Sequence, residues 1–127
     1  MSLLFDKSVY VNVRSGGVVE VIQPITRNGV SAASSSTVIV TGGTGQITRV
    51  ISLTIGSTTS TATYAAFIAS LGQGLVTYNV AANTVASAYY NDFGGLMDTT
   101  ALGENLRLDI GAGSGVYFSL KYIQFIP

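Results

Sequence analysis

The segment of residues 104–126 constrains the fold of this chain more than any other stretch. In its first arm, residues 105–110, Leu and Ile alternate with Asn, Arg and Asp, which is the pattern of a strand with one buried face. The second arm, residues 116–123, alternates in the same way, and the sequence GAGSG between the arms tolerates the positive φ angles of a turn. The pattern therefore predicts a β-hairpin. Because an isolated hairpin is marginally stable, strands from the rest of the chain must cover its apolar face.

A further hairpin is predicted at the N-terminus, in residues 8–23. Two segments in which apolar and polar residues alternate flank the turn Ser15-Gly16-Gly17. Pro24 has no N–H to donate to a neighbouring strand. We therefore expect residues 24–30 to leave the sheet or to lie on its edge.

The low-complexity sequence SAASSS, residues 31–36, predicts a flexible linker. It divides the chain into an N-terminal hairpin or arm with its linker, residues 1–36, and a sandwich domain, residues 37–127. The alternative is one continuous domain, which a chain of 127 residues can also form.

Short strands separated by turn signals follow in the main body. They are residues 37–40, 46–55, 75–80 and 83–90, and residues 91–103 are predicted to form a loop. In the longest strand, the residues expected to face the core are Ile51, Leu53 and Ile55, with Val50 on the opposite face. Short strands with turns at intervals of about 8 to 12 residues predict an all-β fold, an antiparallel β-sandwich that is jelly-roll-like.

Residues 59–71 fit two patterns. The apolar residues Tyr64, Phe67, Ile68 and Leu71 match the spacing of a helical stripe, and the same segment also alternates acceptably as a strand. The Thr-rich entry and the β-rich surroundings favour the strand, and the helix is the alternative.

Composition and charge exclude several classes of partner. Charged residues make up 9% of the chain, and its six basic and six acidic residues are scattered, so no patch could neutralise several phosphates and nucleic acid is not expected as a partner. With no Cys and no His, the chain offers neither a disulfide nor the commonest metal ligands. No signal-like segment and no apolar run of about 18 residues occurs, so we expect a soluble protein made in a cytoplasm, with no membrane partner.

The glycine-rich sequence VIVTGGTGQI, residues 38–47, resembles the dinucleotide fingerprint of extended and atypical short-chain dehydrogenases. That fingerprint requires a helix after the turn, but the residues that follow are β-branched and Thr48 stands in place of the third glycine. It also requires an acidic residue about 20 positions further on, and no acid lies between Glu20 and Asp92. We therefore predict a hairpin or corner loop and no cofactor.

The acidic residues of the second half are Asp92, Asp98, Glu104 and Asp109. They could supply a carboxylate pair or calcium ligands, but their spacing matches no compact ligand loop, so structural roles are expected. No His is present to activate a Ser or Thr as a nucleophile. We predict no catalytic residues and no metal site, and we expect that the chain is not an enzyme.

Four tyrosines are candidate contact residues: Tyr89, Tyr90, Tyr117 and Tyr122. Aromatic rings on strands stack on sugar faces in some proteins and more often pack in the core or between subunits. The tyrosines are therefore predicted to serve in an interface, with glycan contact as the alternative.

Three segments together resemble small all-β structural proteins of tailed-phage virions. They are TVIVTGGTGQITRVISLTIGSTTSTATY, VTYNVAANTVASAYYNDFGGLM and LGENLRLDIGAGSGVYFSLKYIQF. The positions that carry the resemblance are residues 49–55, 81–85, 94–96, 103–108 and 116–122. The resemblance implies an all-β structural protein without an active site, and residues 1–36 lie outside it.

The resemblance implies a virion protein of the capsid decoration or auxiliary type, located on the capsid surface. Such a protein would cement the shell through apolar contacts with the major capsid protein or other virion proteins. A tail, adaptor or fibre-attachment component is the first alternative, and a carbohydrate-binding module is the second. Because few charges guard the strand edges, we expect a homo-oligomer, in particular a trimer, with residues 1–30 reaching onto a neighbour or the shell.

Overall fold

The computed structural model describes residues 11–69, 72, 74–82, 87–90, 97–99 and 101–127, and for residues 11–14 and 87–90 it describes the backbone alone. The strands are β1 (Val11–Ser15), β2 (Val18–Ile22), β3 (Ile25–Ser31), β4 (Ser36–Val40), β5 (Ile47–Ser57), β6 (Thr63–Ala69), β7 (Gly74–Val80), β8 (Ser87–Tyr90), β9 (Met97–Asp98), β10 (Leu106–Ile110) and β11 (Val116–Phe125). No helix occurs in the described residues, and so none that could cross a membrane. The predicted all-β class is confirmed.

Two antiparallel sheets form the body of the molecule. One has the strand order β3-β11-β5-β8, with β9 also pairing with β5, and the other has the order β4-β10-β6-β7. β1 and β2 form a separate two-stranded ladder. Buried side chains from both larger sheets belong to one core cluster, as expected for the predicted β-sandwich.

The last two strands do not form a hairpin, contrary to their sequence pattern. β10 pairs with β4 and β6, whereas β11 pairs with β3 and β5, so the two strands lie in different sheets. Residues 111–115 connect the sheets, and the N–H of Gly111 donates to the carbonyl of Tyr64 at 3.0 Å. Alternation predicts which side chains are buried but does not choose the neighbouring strand. Each of the two strands buries the face that its alternation predicts, and both faces belong to one core cluster.

The core between the sheets is closely interlocked. Fully buried side chains include Phe67 and Leu108 from one sheet and Leu53 and Leu120 from the other. The ring of Phe67 also meets the ring of Tyr78 edge-on, with centroids 5.9 Å apart. This T-shaped contact attaches β7, at the edge of its sheet, to the strand beside it.

A bulge in β5 changes the predicted burial pattern. The register against β11 skips Ile51, which is left without a cross-strand partner in that ladder. Val50 consequently joins Leu53 and Ile55 in the core cluster, and Ile51 is buried outside it. The prediction that Ile51 faces the core and Val50 faces away is therefore wrong.

Residues 59–71 contain the strand β6 and no helix over their described part. Ala65, Phe67 and Ala69 are buried at alternate positions, as a strand requires, and the predicted strand is confirmed. The predicted strand 75–80 is also present, as β7.

The predicted loop 91–103 contains the short strand β9, in which Met97 pairs with Val50 and Asp98 with Arg49. This part of the loop prediction is wrong, because two residues are too short a strand to show an alternating pattern. Residues 83–86 of the predicted strand 83–90 and residues 91–96 of the predicted loop lie outside the described residues.

The predicted N-terminal hairpin is confirmed within its described part. Gly16 and Gly17 have φ angles of +59° and +83°, as the tight turn between β1 and β2 requires. Among the described residues, β3 follows Pro24 and pairs only with β11. It is therefore an edge strand of its sheet, which is one of the two positions predicted for residues 24–30. The division of the chain at residue 36 stays a prediction.

Candidate interaction surface

Exposed apolar side chains concentrate on the N-terminal hairpin, on β3 and at the C-terminus. They are Val18, Val19, Val21, Ile25, Val30 and Ile126, with exposed fractions between 49% and 71%. We refer to these six residues as the N-terminal apolar surface. Single exposed apolar residues are common. Val18, Val19 and Val21 are concentrated on one short hairpin, which is typical of a binding surface, whereas Ile25 and Val30 lie on opposite faces of β3.

The hairpin is fixed to the end of β11 at two places. At its turn, the Gly16 N–H donates to the carbonyl of Ile126 at 2.8 Å, and the Ile126 N–H donates to Ser15 Oγ at 3.0 Å. At the other end of β2, Ile22 packs against Ile123 and neighbouring buried side chains. Ile123 points away from the central core because it alternates with Leu120 and Tyr122 along β11. The hairpin therefore covers part of the outer face of this sheet.

The edge strand β3 is tied to the opposite sheet. Arg27 Nε donates to the carbonyl of Ile39 in β4 at 3.0 Å. A β-carbon on Gly29 would lie 3.0 Å from the ring of Phe118, so this glycine leaves room for the core aromatic. An inward-directed charge and a proline at the start of a strand are both known guards of sheet edges. Pro24 and Arg27 thus limit further strand pairing here, although Ile25 and Val30 remain exposed.

The candidate tyrosines do not share one face in the described part of the chain. Tyr122 packs against the central core, whereas Tyr117 is half-buried on the opposite face of β11. The backbone of Tyr89 pairs with Leu53 and that of Tyr90 with Ser52, and the side chains of both tyrosines lie outside the description. Their role in an interface or in glycan contact stays a prediction.

The glycine-rich segment forms a corner that connects β4 in one sheet to β5 in the other. The Gly42 N–H donates to Asn105 Oδ1 at 2.7 Å, and the Gly103 N–H donates to the Gln46 carbonyl at 2.9 Å. A β-carbon on Gly42 would collide with the backbone of Gly103 and Glu104. The glycine is thus required for close packing of two backbone segments, and the predicted corner loop is confirmed.

The described acidic residues of the second half of the chain make structural contacts. Asp98 forms a two-fold hydrogen-bonded ion pair with Arg49, and Asp109 Oδ1 lies 3.1 Å from Arg107 Nε. Glu104 is buried and accepts a hydrogen bond from the backbone of Ala101 at 2.9 Å. Within the residues that the structure describes, no three His, Cys, Asp or Glu side chains are grouped so that they could hold a metal ion. Asp92 lies outside these residues.

A buried polar cluster joins two loops at the other end of the sandwich. Ser57 Oγ lies 2.8 Å from Ser114 Oγ and 2.8 Å from the carbonyl oxygen of Thr59. The Thr58 N–H donates to the Gly115 carbonyl at 3.1 Å. These bonds hold the connection between β10 and β11 against the end of β5.

Sequence reasoning missed the N-terminal apolar surface. The signal is the sequence VVEVI of β2, because two adjacent valines in a strand point to opposite faces and a thin hairpin cannot bury both. Val18 and Val19 are accordingly 62% and 61% exposed.

Neither a scan against protein-family models nor a search of curated proteins found a match to this chain. The resemblance to phage virion proteins therefore rests on the sequence pattern of residues 37–125 alone. The fold and the N-terminal apolar surface are the structural observations from which a function can be argued.

Proposed function

We propose that this chain is a non-enzymatic structural protein of a tailed-phage virion, and that it decorates the capsid and stabilises the shell. The observation that carries the proposal is the N-terminal apolar surface, which presents Val18, Val19 and Val21 to solvent on a hairpin attached to the body of the protein. Complete burial of one valine contributes about 1.5 kcal/mol, so covering several of them on a shell would stabilise the complex substantially.

We infer that the two larger sheets form a jelly roll. If β3, β4, β5, β6, β7, β8, β10 and β11 are numbered from one to eight, the sheets have the orders 1-8-3-6 and 2-7-4-5. This alternation between sheets is the strand order of an eight-stranded jelly roll. The fold supports the proposed function because viral capsid proteins are among the proteins that use it.

The hairpin of β1 and β2 serves in this proposal as an arm that reaches onto a neighbouring subunit or the shell. A two-stranded ladder is marginally stable alone, and this one pairs with no strand of the larger sheets in the described residues. Its exposed valines would gain stability from a second surface. Contact with the major capsid protein, or with another virion protein, would provide that surface on the outside of the capsid.

The assembly in this proposal is a homo-oligomer, in particular a trimer. With 9% charged residues, the chain has little electrostatic repulsion between copies. Closed rotational symmetry would cover apolar surface on every copy and stop the assembly at a defined size.

Binding to capsids tests the proposal. Purified protein is mixed with heads from a phage stock that lacks this gene, the heads are pelleted, and bound protein is quantified together with the temperature at which the heads release DNA. We expect saturable binding and a higher release temperature. Binding to isolated tails and not to heads would contradict the decoration role, as would no binding to either.

Matched substitutions of exposed valines locate the binding surface. The double variant Val19→Ser/Val21→Ser lies on the hairpin, and Val38→Ser is the control because Val38 is 45% exposed on β4, outside the N-terminal apolar surface. We expect the hairpin variant to bind heads at least about tenfold more weakly, since two apolar contacts are lost. Equal binding by both variants would exclude the hairpin as the contact.

A further inference from the structure

We propose that the hairpin of one copy docks on the outer face of the β3-β11-β5-β8 sheet of a second copy, with Glu20 of the first paired to Lys121 of the second. This inference deepens the proposed function by naming the contact between subunits, and it rests on that function for the purpose of the assembly. Its physical test needs only the purified chain.

The distribution of charge points to these two residues. In the described part of the chain, Arg49 pairs with Asp98 and Arg107 with Asp109. Two further charged groups are bonded elsewhere: Arg27 donates to backbone carbonyls, and Glu104 accepts from a backbone N–H. Glu20 and Lys121 are both exposed, and neither forms an ion pair with another described residue. They are therefore an acid and a base available for contact with another molecule.

The donor surface is the side of β2 that carries Val18 and Glu20. The side chains of Val19 and Val21 point to the opposite side of the strand. Val18 is 62% exposed. A partner for this surface must supply apolar area together with one positive charge.

The outer face of β11 is the acceptor surface, because it supplies apolar area and a positive charge. Lys121 lies on the outer face of β11, between Thr26 of β3 and Ser52 of β5 in the ladder. On the same face, four residues along the strand, Tyr117 stands beside Val30, which is 71% exposed. Lys121 and Tyr117 are thus about 13 Å apart along the strand, and the hairpin turn begins about 10 Å from Glu20 along β2. With Glu20 over Lys121, the turn end of the hairpin extends towards Tyr117 and Val30.

The contact joins different copies. The turn of each hairpin is hydrogen-bonded to Ile126 of its own chain, five residues beyond Lys121, and Glu20 forms no ion pair with its own Lys121. A two-fold contact between two hairpins would place two Glu20 carboxylates near each other, which is unfavourable. Two different surfaces that complement each other make a head-to-tail contact, and such a contact closes into a ring when the rotation between copies is a whole fraction of a turn.

Charge reversal tests the pair by analytical ultracentrifugation. The variants are Glu20→Lys, Lys121→Glu and the double variant with both changes. We expect an oligomer for the unchanged chain at micromolar concentration, dissociation constants raised at least about tenfold for each single variant, and assembly restored in the double variant. Circular dichroism confirms the fold of each variant. A monomeric unchanged chain, single variants that assemble normally, or a double variant as dissociated as the single ones would overturn the proposal.

Cysteine cross-linking provides a second readout because the chain contains no native Cys. In the double variant Glu20→Cys/Lys121→Cys, oxidation by diamide joins the two thiols as a disulfide if they meet. We expect covalent oligomers on a non-reducing gel, whereas each single Cys variant can form at most a dimer. A disulfide confined to the monomer, or none, would contradict the contact.

The outcomes separate this inference from the function on which it rests. Oligomers that cross-link as described but bind no heads would overturn the capsid role and leave the subunit contact intact. Protein that binds heads but shows no Glu20 to Lys121 contact would overturn the subunit contact and leave the capsid role intact.

Discussion

Arg49 and Asp98 form a bidentate ion pair that attaches the two-residue strand β9 to the beginning of the long strand β5. Arg49 Nε lies 2.8 Å from Asp98 Oδ1, and Arg49 Nη2 lies 2.9 Å from Oδ2. The hydrogen bond to Asp98 raises the pKa of Arg49 above its usual value, against an opposing effect of partial burial. The guanidinium also lies over the ring of Phe125, 4.7 Å from its centroid. One arginine thus connects β9, β5 and the end of β11.

Replacing Arg49 with Gln should lower the free energy of unfolding by about 1 to 2 kcal/mol, because the bidentate pair and the contact with Phe125 are both lost. The matched control is Arg107→Gln, which removes an ion pair between two residues of one strand and should cost less than about 0.5 kcal/mol. Urea denaturation measures both values. Equal losses would show that the Arg49 pair has no special role in holding β9.

Replacing Gly42 with Ala should destabilise the protein by about 1 to 3 kcal/mol, because the new methyl group meets the backbone of Gly103 and Glu104 and neither can rotate away. Gly74→Ala is the control, since a β-carbon there has nothing within 4 Å. Thermal unfolding of the two variants gives the comparison. A Gly42→Ala melting temperature equal to that of the control would mean that the corner between β4 and β5 is looser than described.

Replacing Ser57 with Ala should lower the unfolding free energy by about 1 to 3 kcal/mol, because buried partners at Ser114 and Thr59 lose a hydrogen bond. Ser60 is exposed in the same loop, so Ser60→Ala should change stability by less than about 0.5 kcal/mol. Chemical denaturation followed by tyrosine fluorescence measures the difference. An unchanged unfolding free energy for Ser57→Ala would show that the polar cluster does not stabilise the connection between the sheets.

Deleting residues 2–24 should leave a folded sandwich, because β3 begins at Ile25 and keeps its pairing with β11. We expect a loss of about 2 kcal/mol, since the deletion uncovers Ile123 and Phe125, which Ile22 packs against. Cooperative thermal unfolding, followed by circular dichroism, checks the fold, and the head-pelleting assay checks binding. A truncated chain without a cooperative transition would show that the hairpin belongs to the core, and full binding to heads would exclude its role as an arm.

The strands were largely predictable because burial follows alternation. Leu106, Leu108 and Ile110 are buried as their period indicates, and so are Val116, Phe118 and Leu120 in β11. What alternation does not contain is the choice of neighbour. GAGSG permits a hairpin turn as well as a crossing between sheets. Hydrogen bonds of Gly111 with Tyr64 and Ser34, from distant parts of the chain, select the crossing.

The candidate surface was less predictable than the fold. Exposure of Val19 depends on how few strands lie beside the hairpin, which is a property of the whole molecule. The bulge that turns Val50 into the core is likewise set by pairing with β11 and β9. Tyr117 and Tyr122, in contrast, lie on opposite faces of β11 as their spacing indicates, so their separation could have been stated from the sequence.

The number of copies per virion tests the central claim, that the chain decorates a phage capsid, most directly. Virions of the phage that carries this gene are purified, and quantitative mass spectrometry compares the chain with the major capsid protein. A decoration protein repeats with the shell lattice, so we predict hundreds of copies, comparable to the major capsid protein. About a dozen copies, the number that a ring at the tail would contain, or no copies at all, would contradict the account.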